Sequence, residues 1–189
     1  MDTIVLASQS PRRKELLEWA EIPFDVIVKH TEELYPSDLD VADIPVYIAR
    51  SKAIAVKKEL TADRVILAAD TVVVLDGEMI GKPKNIDDAV LTLSRLSGQK
   101  HSVITGVVLI KGETEIAFSD VTEVTFHQLT TEQITFYVNK YLPLDKAGAY
   151  AIQEWIGVVG IQSIQGDFYN VMGLPVSRVV QALDLLKDS

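Results

Sequence analysis

The chain of 189 residues has no cysteine. Disulfide frameworks, thiolate metal sites and cysteine nucleophiles are therefore excluded. Histidine is also scarce, and His30, His101 and His127 stand far apart, without the spacing of metal ligands. No apolar run approaches 18 residues, and the chain enters a predicted strand without a charged leader segment. We therefore expect a soluble, cytoplasmic protein that does not cross a membrane.

Positive charge is in short supply as well, since 18 Lys and Arg residues face 27 Asp and Glu residues and the net charge is −9. Proteins that bind nucleic acids or membrane surfaces present a basic face, so neither partner is expected. The GxxxxGK(S/T), GxGxxG and GxSxG motifs are missing, which argues against P-loop, dinucleotide-binding and serine hydrolase sites. A local cluster of basic residues in this chain is then expected to bind something small.

What the sequence does contain is an alternation of predicted strands and helices over a length typical of one domain. Strands are predicted at 3–7, 24–28, 64–80, 101–110 and 115–126, with hairpins at Asp76-Gly77 and Lys111-Gly112. Helices are predicted to begin near Ser10, Pro45, Asn85, Thr130 and Pro175, and residues 146–173 are predicted to be irregular. The pattern predicts a single α/β domain over residues 1–189 with a mixed sheet.

One predicted helix begins with the wrong charges. Ser10 and Pro11 form a typical helix start, yet Arg12, Arg13 and Lys14 follow in the first turn. The helix dipole disfavours cations there. Free backbone N–H groups with forked guanidinium donors suit an anion, so we expect the mutual repulsion of Arg12 and Arg13 to be offset only when an anionic ligand is bound.

Asp70 is a second outlier, because it ends the apolar run VILAAD and is followed at once by TVVVL. A buried acid is costly unless it is paired or binds a cation. It could be a general base or a metal ligand in a cleft, or an acid that caps a turn or pairs with a lysine.

Other polar residues carry similar alternatives. Lys52 and Lys82 are either solvated surface charges or parts of a site, since sites are commonly built near glycines, prolines and strand ends. Glu32 and Glu33 lie in an acidic loop that is either solvated or supplies a ligand to a divalent ion. Gln153 ends the run AYAIQ and either satisfies loop backbone or contacts the edge of a base.

Eight segments along the chain resemble the Maf family of nucleoside triphosphate pyrophosphatases, in the family's order. They are LASQSPRR (6–13), EE (32–33), RSKA (50–53), AADTVV (68–73), GKP (81–83), TGV (105–107), DKAGAYAIQ (145–153) and GDFYNVMGLP (166–175). One such segment would be a weak signal, but eight in register along essentially the whole chain are specific.

The resemblance implies a mixed, twisted β-sheet with flanking helices and two lobes around a cleft, related to the inosine triphosphate pyrophosphatases. It implies hydrolysis of a nucleoside triphosphate to the monophosphate and pyrophosphate, with Mg²⁺ or Mn²⁺ as divalent metal. A homodimer is common in the family. By this resemblance Asp70 accepts the proton of the attacking water, and Glu33 and Asp70 lie at the metal. The residues implied at the triphosphate are Arg12, Arg13, Lys52 and Lys82.

The same resemblance implies a substrate branch. Arg12, Thr71 and Gln153 match positions associated with preference for dTTP and UTP. The 7-methyl-GTP branch carries a glutamate in a KSEG-like stretch where this chain has AIQE, and many relatives have glycine where this chain has Glu154. The alternatives are a 7-methyl-GTP pyrophosphatase and, since the family is linked to inhibition of septum formation, a nucleotide-binding regulator without turnover.

Overall fold

The computed structural model describes residues 2–60 and 63–187, with Lys187 described only as backbone. The helices of this part of the chain are α1 (Pro11–Trp19), α2 (Ile44–Lys57), α3 (Ile86–Leu96), α4 (Thr131–Tyr141), α5 (Trp155–Gly160), α6 (Phe168–Met172) and α7 (Val176–Lys187), with a 3₁₀ turn at Ala147–Ala149. The strands are β1 (Ile4–Leu6), β2 (Phe24–Val26), β3 (Ile66–Leu75), β4 (Glu78–Ile80), β5 (Lys100–Lys111), β6 (Thr114–Phe126) and β7 (Ile161–Gln165). None of the helices described is long and apolar enough to cross a membrane.

The strands form one mixed sheet. Its order is β2-β1-β3-β5-β6-β7, and β4 pairs with β3 beside this path. Strand β1 is parallel to β2 and β3, whereas the β3–β4 and β6–β7 pairs are antiparallel. Parallel neighbours require crossover connections, which α1 and α2 lie within, and antiparallel neighbours need only short turns. The prediction of a mixed α/β fold is confirmed.

The chain divides into two compact units, and the first consists of the described parts of Met1–Asp70, Thr105–Asp120 and Gly173–Ser189. Its core joins Val5 and Ala68 to Ala49 and Ala53 of α2. Small side chains on α2 allow the helix to lie close to the sheet. At Gly106 a Cβ atom would stand 2.2 Å from the backbone nitrogen of Val46, so only glycine permits this approach.

The second unit consists of Thr71–Ile104 and Val121–Met172. Its segments are joined by the fully buried Asn170, whose Nδ2 donates to the Val103 carbonyl at 3.1 Å and to Thr122 Oγ1 at 3.0 Å. Thr122 Oγ1 in turn donates to the Asp167 carbonyl at 2.9 Å. A polar network of this kind fixes strand, turn and short helix in one arrangement.

Most predicted boundaries are confirmed by local contacts. The Asn85 side chain accepts from the Asp88 N–H at 2.8 Å and begins α3. Thr130 and Gln133 form a reciprocal capping box at the start of α4. The hairpin residues Asp76 and Gly77 both have positive φ, at 51° and 79°, as a tight turn between β3 and β4 requires.

The prediction that residues 146–173 are irregular is wrong, because this segment contains a 3₁₀ turn, α5, β7 and α6. Its glycines suggest a loop, but Gly157 has a packing role inside α5. A Cβ atom there would stand 1.7 Å from the Ile152 carbonyl oxygen. The glycine therefore permits a close backbone contact, which a pattern of local propensities cannot distinguish from a chain break.

A buried histidine in the second unit makes stability depend on pH. His101 Nε2 lies 2.7 Å from the Tyr150 hydroxyl, and its Nδ1 is buried with no hydrogen-bond partner among the described residues. The His101 ring also stacks on Phe126, with 5.5 Å between ring centroids. Burial lowers the pKa of His101 from 6.5 to about 4.

We predict that His101→Gln reduces the loss of unfolding free energy on acidification. Because the native pKa is depressed, neutral His101 contributes its stability above pH 6.5, and this contribution is lost as the pH falls from 6.5 towards 4. The contribution is about 3 kcal/mol in full. Urea unfolding at pH 7 and pH 4.5 measures it. His127→Gln, at an exposed site, is the control and should keep the wild-type pH dependence. An unchanged pH dependence in His101→Gln would contradict the assignment.

Candidate active site

The best-defined polar cluster of the first unit is built on one ammonium group. Lys52 Nζ donates to Asp70 Oδ1 at 2.7 Å and to Glu33 Oε1 at 2.9 Å. Lys52 lies on α2, Asp70 follows the buried residues 66–69 on β3, and Glu33 lies in the loop before α2. The structure thus brings together three of the residues predicted for the site, and Asp70 pairs with a lysine as one alternative expected.

Burial distinguishes the two carboxylates. The Asp70 side chain is 15% exposed and that of Lys52 is 19% exposed, whereas the Glu33 side chain is 51% exposed. The Lys52–Asp70 contact compensates part of the cost of placing a charge in the middle of a largely buried strand. Glu33 is thus the more accessible of the two carboxylates.

The donor set also bears on a metal. Among residues 2–60 and 63–187, no group of three or more Asp, Glu, His or Cys side chains could hold a metal ion. Mg²⁺ is, however, commonly bound by one or two carboxylates, with substrate phosphates and waters as the other ligands. Glu33 and Asp70, which converge on the same Lys52 nitrogen, fit a shared site of this kind and not a closed protein cage.

Arg13 faces inward from α1. Its Nε donates to the Gly173 carbonyl at 2.8 Å, and its Nη1 donates to Ser8 Oγ at 3.0 Å. Burial lowers the pKa of Arg13 and Arg12 lowers it further, while the charges of Asp70 and Glu33 raise it. The protein's own carboxylates thus offset part of the repulsion between the arginines, so the expectation that only a bound ligand does so is wrong.

The start of α1 differs from the predicted cap. Ser10 is the N-cap residue, but its side chain makes no capping hydrogen bond. Its backbone N–H instead donates to Ser8 Oγ at 3.2 Å, the atom that Arg13 also contacts. Arg12, at the second helical position, is half-buried. The first turn of α1 therefore lacks a side-chain cap from Ser10, as suits an anion site.

Three predicted residues belong to the second unit. Thr71 follows Asp70 on β3 and is half-buried, Lys82 is exposed in the loop after β4, and Gln153 is exposed before α5. The Lys82 loop is fixed by the Gly148 N–H, which donates to the Gly81 carbonyl at 3.2 Å. This bond joins the GKP and DKAGAY segments. The roles of Thr71, Lys82 and Gln153 in substrate recognition stay predictions.

Two residues that hold predicted site residues or their neighbours in place were not predicted from the sequence. Ser8 holds both Arg13 and the Ser10 backbone, and Tyr137 contacts Ala151 and Glu154 through its hydroxyl. Ser8 lies within the LASQSPRR segment, so the sequence pattern could have identified it. Nothing in the local pattern distinguishes Tyr137 from an ordinary core aromatic, because its partners lie 14 and 17 residues away.

We predict that Arg13→Met lowers the free energy of unfolding by about 2–3 kcal/mol, since it leaves the Gly173 carbonyl and Ser8 Oγ without a charged donor. Arg13→Lys should recover only part of this loss, because an ammonium cannot reproduce two divergent guanidinium bonds. Urea unfolding at pH 7 measures both. Lys14→Met, the neighbouring cation on α1, is the control. If Arg13→Met and Lys14→Met have the same free energy of unfolding, the hydrogen bonds of Arg13 to Gly173 and Ser8 do not stabilise the fold.

Known proteins are similar to this chain over nearly its whole length. The family model described as "Maf-like protein" matches residues 3–186. A protein of Phocaeicola vulgatus named dTTP/UTP pyrophosphatase is 50% identical over 184 residues, which cover 97% of this chain and 95% of that protein. A protein of Bacillus cereus with the same name is 48% identical over 183 residues, covering 97% of this chain and 95% of that one.

A solved structure extends the comparison to the fold. The Ham1 protein of Staphylococcus aureus is 17% identical, aligns over 100% of both chains and has a TM-score of 0.54. At this identity the likeness concerns the fold alone. The match to the family model and the identity to these relatives show that the chain belongs to the Maf family.

Proposed function

We propose that this protein is a nucleoside triphosphate pyrophosphatase that hydrolyses dTTP and UTP to the monophosphate and pyrophosphate. The observation that carries the proposal is the convergence of Glu33 and Asp70 on Lys52, with the charge of Arg13 on α1 acting on the same carboxylates. The names of relatives near 50% identity support the nucleotide class. Residues 1–189 act in this proposal as a single domain.

Asp70 has the role of general base. It takes one proton from a water molecule as the water oxygen bonds to the α-phosphorus. The bond from that phosphorus to the α,β-bridging oxygen breaks, and pyrophosphate leaves with its electron pair. The Asp70 carboxylate is partly buried, and its contact with Lys52 Nζ, 2.7 Å away, holds it in one orientation.

The cations bind and orient the triphosphate. Arg12 lies in the first turn of α1 and offers forked donors, and Lys52 and Lys82 act as point charges. Arg13 contributes its positive charge while its Nε and Nη1 are occupied by Gly173 and Ser8. Phosphoryl transfer depends mainly on such positioning and charge stabilisation.

Glu33 and Asp70 are the residues that would hold a divalent cation, Mg²⁺ or Mn²⁺. When bound, the cation supplies Lewis-acid polarisation of the phosphoryl oxygens. Recognition of the nucleobase is assigned to Arg12, Thr71 and Gln153. The side-chain amide of Gln153 can pair with the edge of an uncharged pyrimidine. A cytoplasmic location and a homodimeric state also stay predictions.

A nucleotide panel tests the reaction and its branch. We predict that pyrophosphate release with Mg²⁺ is faster from dTTP and UTP than from CTP, GTP and 7-methyl-GTP, because the Gln153 carboxamide, held in one orientation, can donate to O4 and accept from N3–H of thymine or uracil, whereas cytosine presents the reverse pattern of donor and acceptor. Release measured at equal nucleotide concentrations gives the ranking. Preference for 7-methyl-GTP would place the chain in the other branch, and binding without any release would favour a regulator.

Replacing the base tests the mechanism. We predict that Asp70→Asn lowers kcat for dTTP by at least about a thousandfold while binding of the nucleotide is retained, because the amide cannot accept the proton of the water. Pyrophosphate release gives kcat, and calorimetric titration gives the dissociation constant.

Asp76→Asn, in the turn that ends the same β3–β4 hairpin, is the matched control and should retain the wild-type rate. A near-normal rate in Asp70→Asn would remove Asp70 as the base. A loss of rate accompanied by loss of nucleotide binding would mean that Asp70 binds substrate and does not act as the base.

A further inference from the structure

Gln153 sits in a tight turn of the second unit, which we call the Gln153 turn and define as residues 151–154. The Glu154 N–H donates to the Ala151 carbonyl at 3.1 Å and closes the turn. Ala151 and Ile152 are buried, whereas Gln153 is exposed. The backbone therefore anchors the turn on its buried side and directs the carboxamide side chain away from the core.

One hydroxyl group holds both ends of this turn. Tyr137 of α4 is fully buried, and its oxygen accepts from the Ala151 N–H at 3.1 Å. The same hydroxyl donates to Glu154 Oε2 through a short hydrogen bond. The first and last residues of the Gln153 turn are thus tied to one atom, and that atom belongs to a helix that is fixed independently by its capping box.

The Glu154 carboxylate is balanced by charge as well. Lys146 Nζ lies 3.7 Å from Glu154 Oε1 and donates to Asp145 Oδ1 at 2.8 Å. Lys146 is itself buried, and the Glu154 side chain is 23% exposed. A carboxylate in such a setting makes strong, directional contacts, because screening by water is reduced.

The turn is also supported from its C-terminal side. The Glu154 carbonyl accepts from the Gly157 N–H at 2.9 Å and begins α5. Gly157 packs against the Ile152 carbonyl so closely that any side chain would collide with it. Residues on both sides of Gln153 therefore have fixed backbone positions, and the freedom left to Gln153 is that of its own side chain.

We propose that Tyr137 and Glu154 are positioning residues for base selection, which hold the Gln153 turn so that the Gln153 carboxamide meets the edge of a pyrimidine base. This inference rests on the proposed function, in which Gln153 contacts the base. A turn held before the nucleotide binds has less conformational entropy to lose on binding, and this raises affinity and selectivity. Neither positioning residue takes part in the chemistry at phosphorus.

Removal of the Tyr137 hydroxyl tests the proposal. We predict that Tyr137→Phe raises KM for UTP about tenfold, leaves kcat within about twofold, and lowers the preference for UTP over CTP towards that of Gln153→Ala. In the Gln153→Ala background, Tyr137→Phe should cause no further loss of preference, because the two residues act through one contact. Tyr141→Phe, which removes a hydroxyl one turn along the same helix, is the matched control and should behave as wild type.

Glu154 provides a second test that does not depend on the folding of Tyr137→Phe. Glu154→Ala should reproduce the rise in KM, whereas Glu154→Gln, which keeps an oxygen acceptor for the Tyr137 hydroxyl, should recover most of the preference. Equal loss in both variants, or an unchanged preference in Glu154→Ala, would overturn the proposal. So would additive losses in Tyr137→Phe with Gln153→Ala, since a general structural defect adds to the effect of Gln153.

The proposed function fails in a different way. If Gln153→Ala itself keeps the wild-type preference for UTP over CTP, Gln153 does not contact the base and the positioning role falls with it. If Gln153→Ala loses the preference while Tyr137→Phe and Glu154→Ala keep it, Gln153 selects the base and only the positioning role is wrong.

Discussion

The position of one ammonium group, Lys52 Nζ, is the constraint on which the candidate site of the first unit depends. Asp70 ends a buried stretch of strand, so its charge requires a nearby cation, and Glu33 contacts the same cation from an exposed loop. Lys52 supplies it because α2 lies close to the sheet. That closeness depends in turn on Ala49 and Ala53 in the core and on the missing side chain at Gly106. A backbone approach decided by glycine and alanine therefore sets the geometry of a polar site several residues away.

The contacts of Arg12 and Arg13 show that the two cations in the first turn of α1 have different surroundings. Arg13 is buried and ties the helix to the Gly173 carbonyl and to Ser8, so part of its donor capacity serves the fold. A lysine would supply the charge but not the two divergent bonds. Arg12 follows the uncapped Ser10 and is only half-buried. The cationic first turn is thus partly structural, and a rule about helix dipoles alone does not distinguish the two arginines.

Local signals in the sequence were sufficient for most of the fold. Asn85, Thr130 with Gln133, and Asp76-Gly77 each fix a boundary through contacts only a few residues apart, so their patterns are readable without a structure. Asp70 was also identifiable, because an acid that ends a buried run is unusual. The hydrogen bond from Arg13 reaches a residue 160 positions away, α5 packs closely at Gly157, and β7 pairs with the distant strand β6. Such contacts leave no local pattern, which is why the sequence could not predict them.

Charge balance explains how the first unit accommodates several cations close together. Arg12, Arg13 and Lys52 bring three positive charges, and Glu33 and Asp70 bring two negative ones into electrostatic reach. Burial lowers the pKa of Arg13, and the charges of Asp70 and Glu33 counteract part of this effect. A nearly neutral cluster has no strong need of a permanent counterion. Separate positive and negative groups therefore lie side by side in one site, as the proposed binding of phosphate oxygens and of a divalent cation requires.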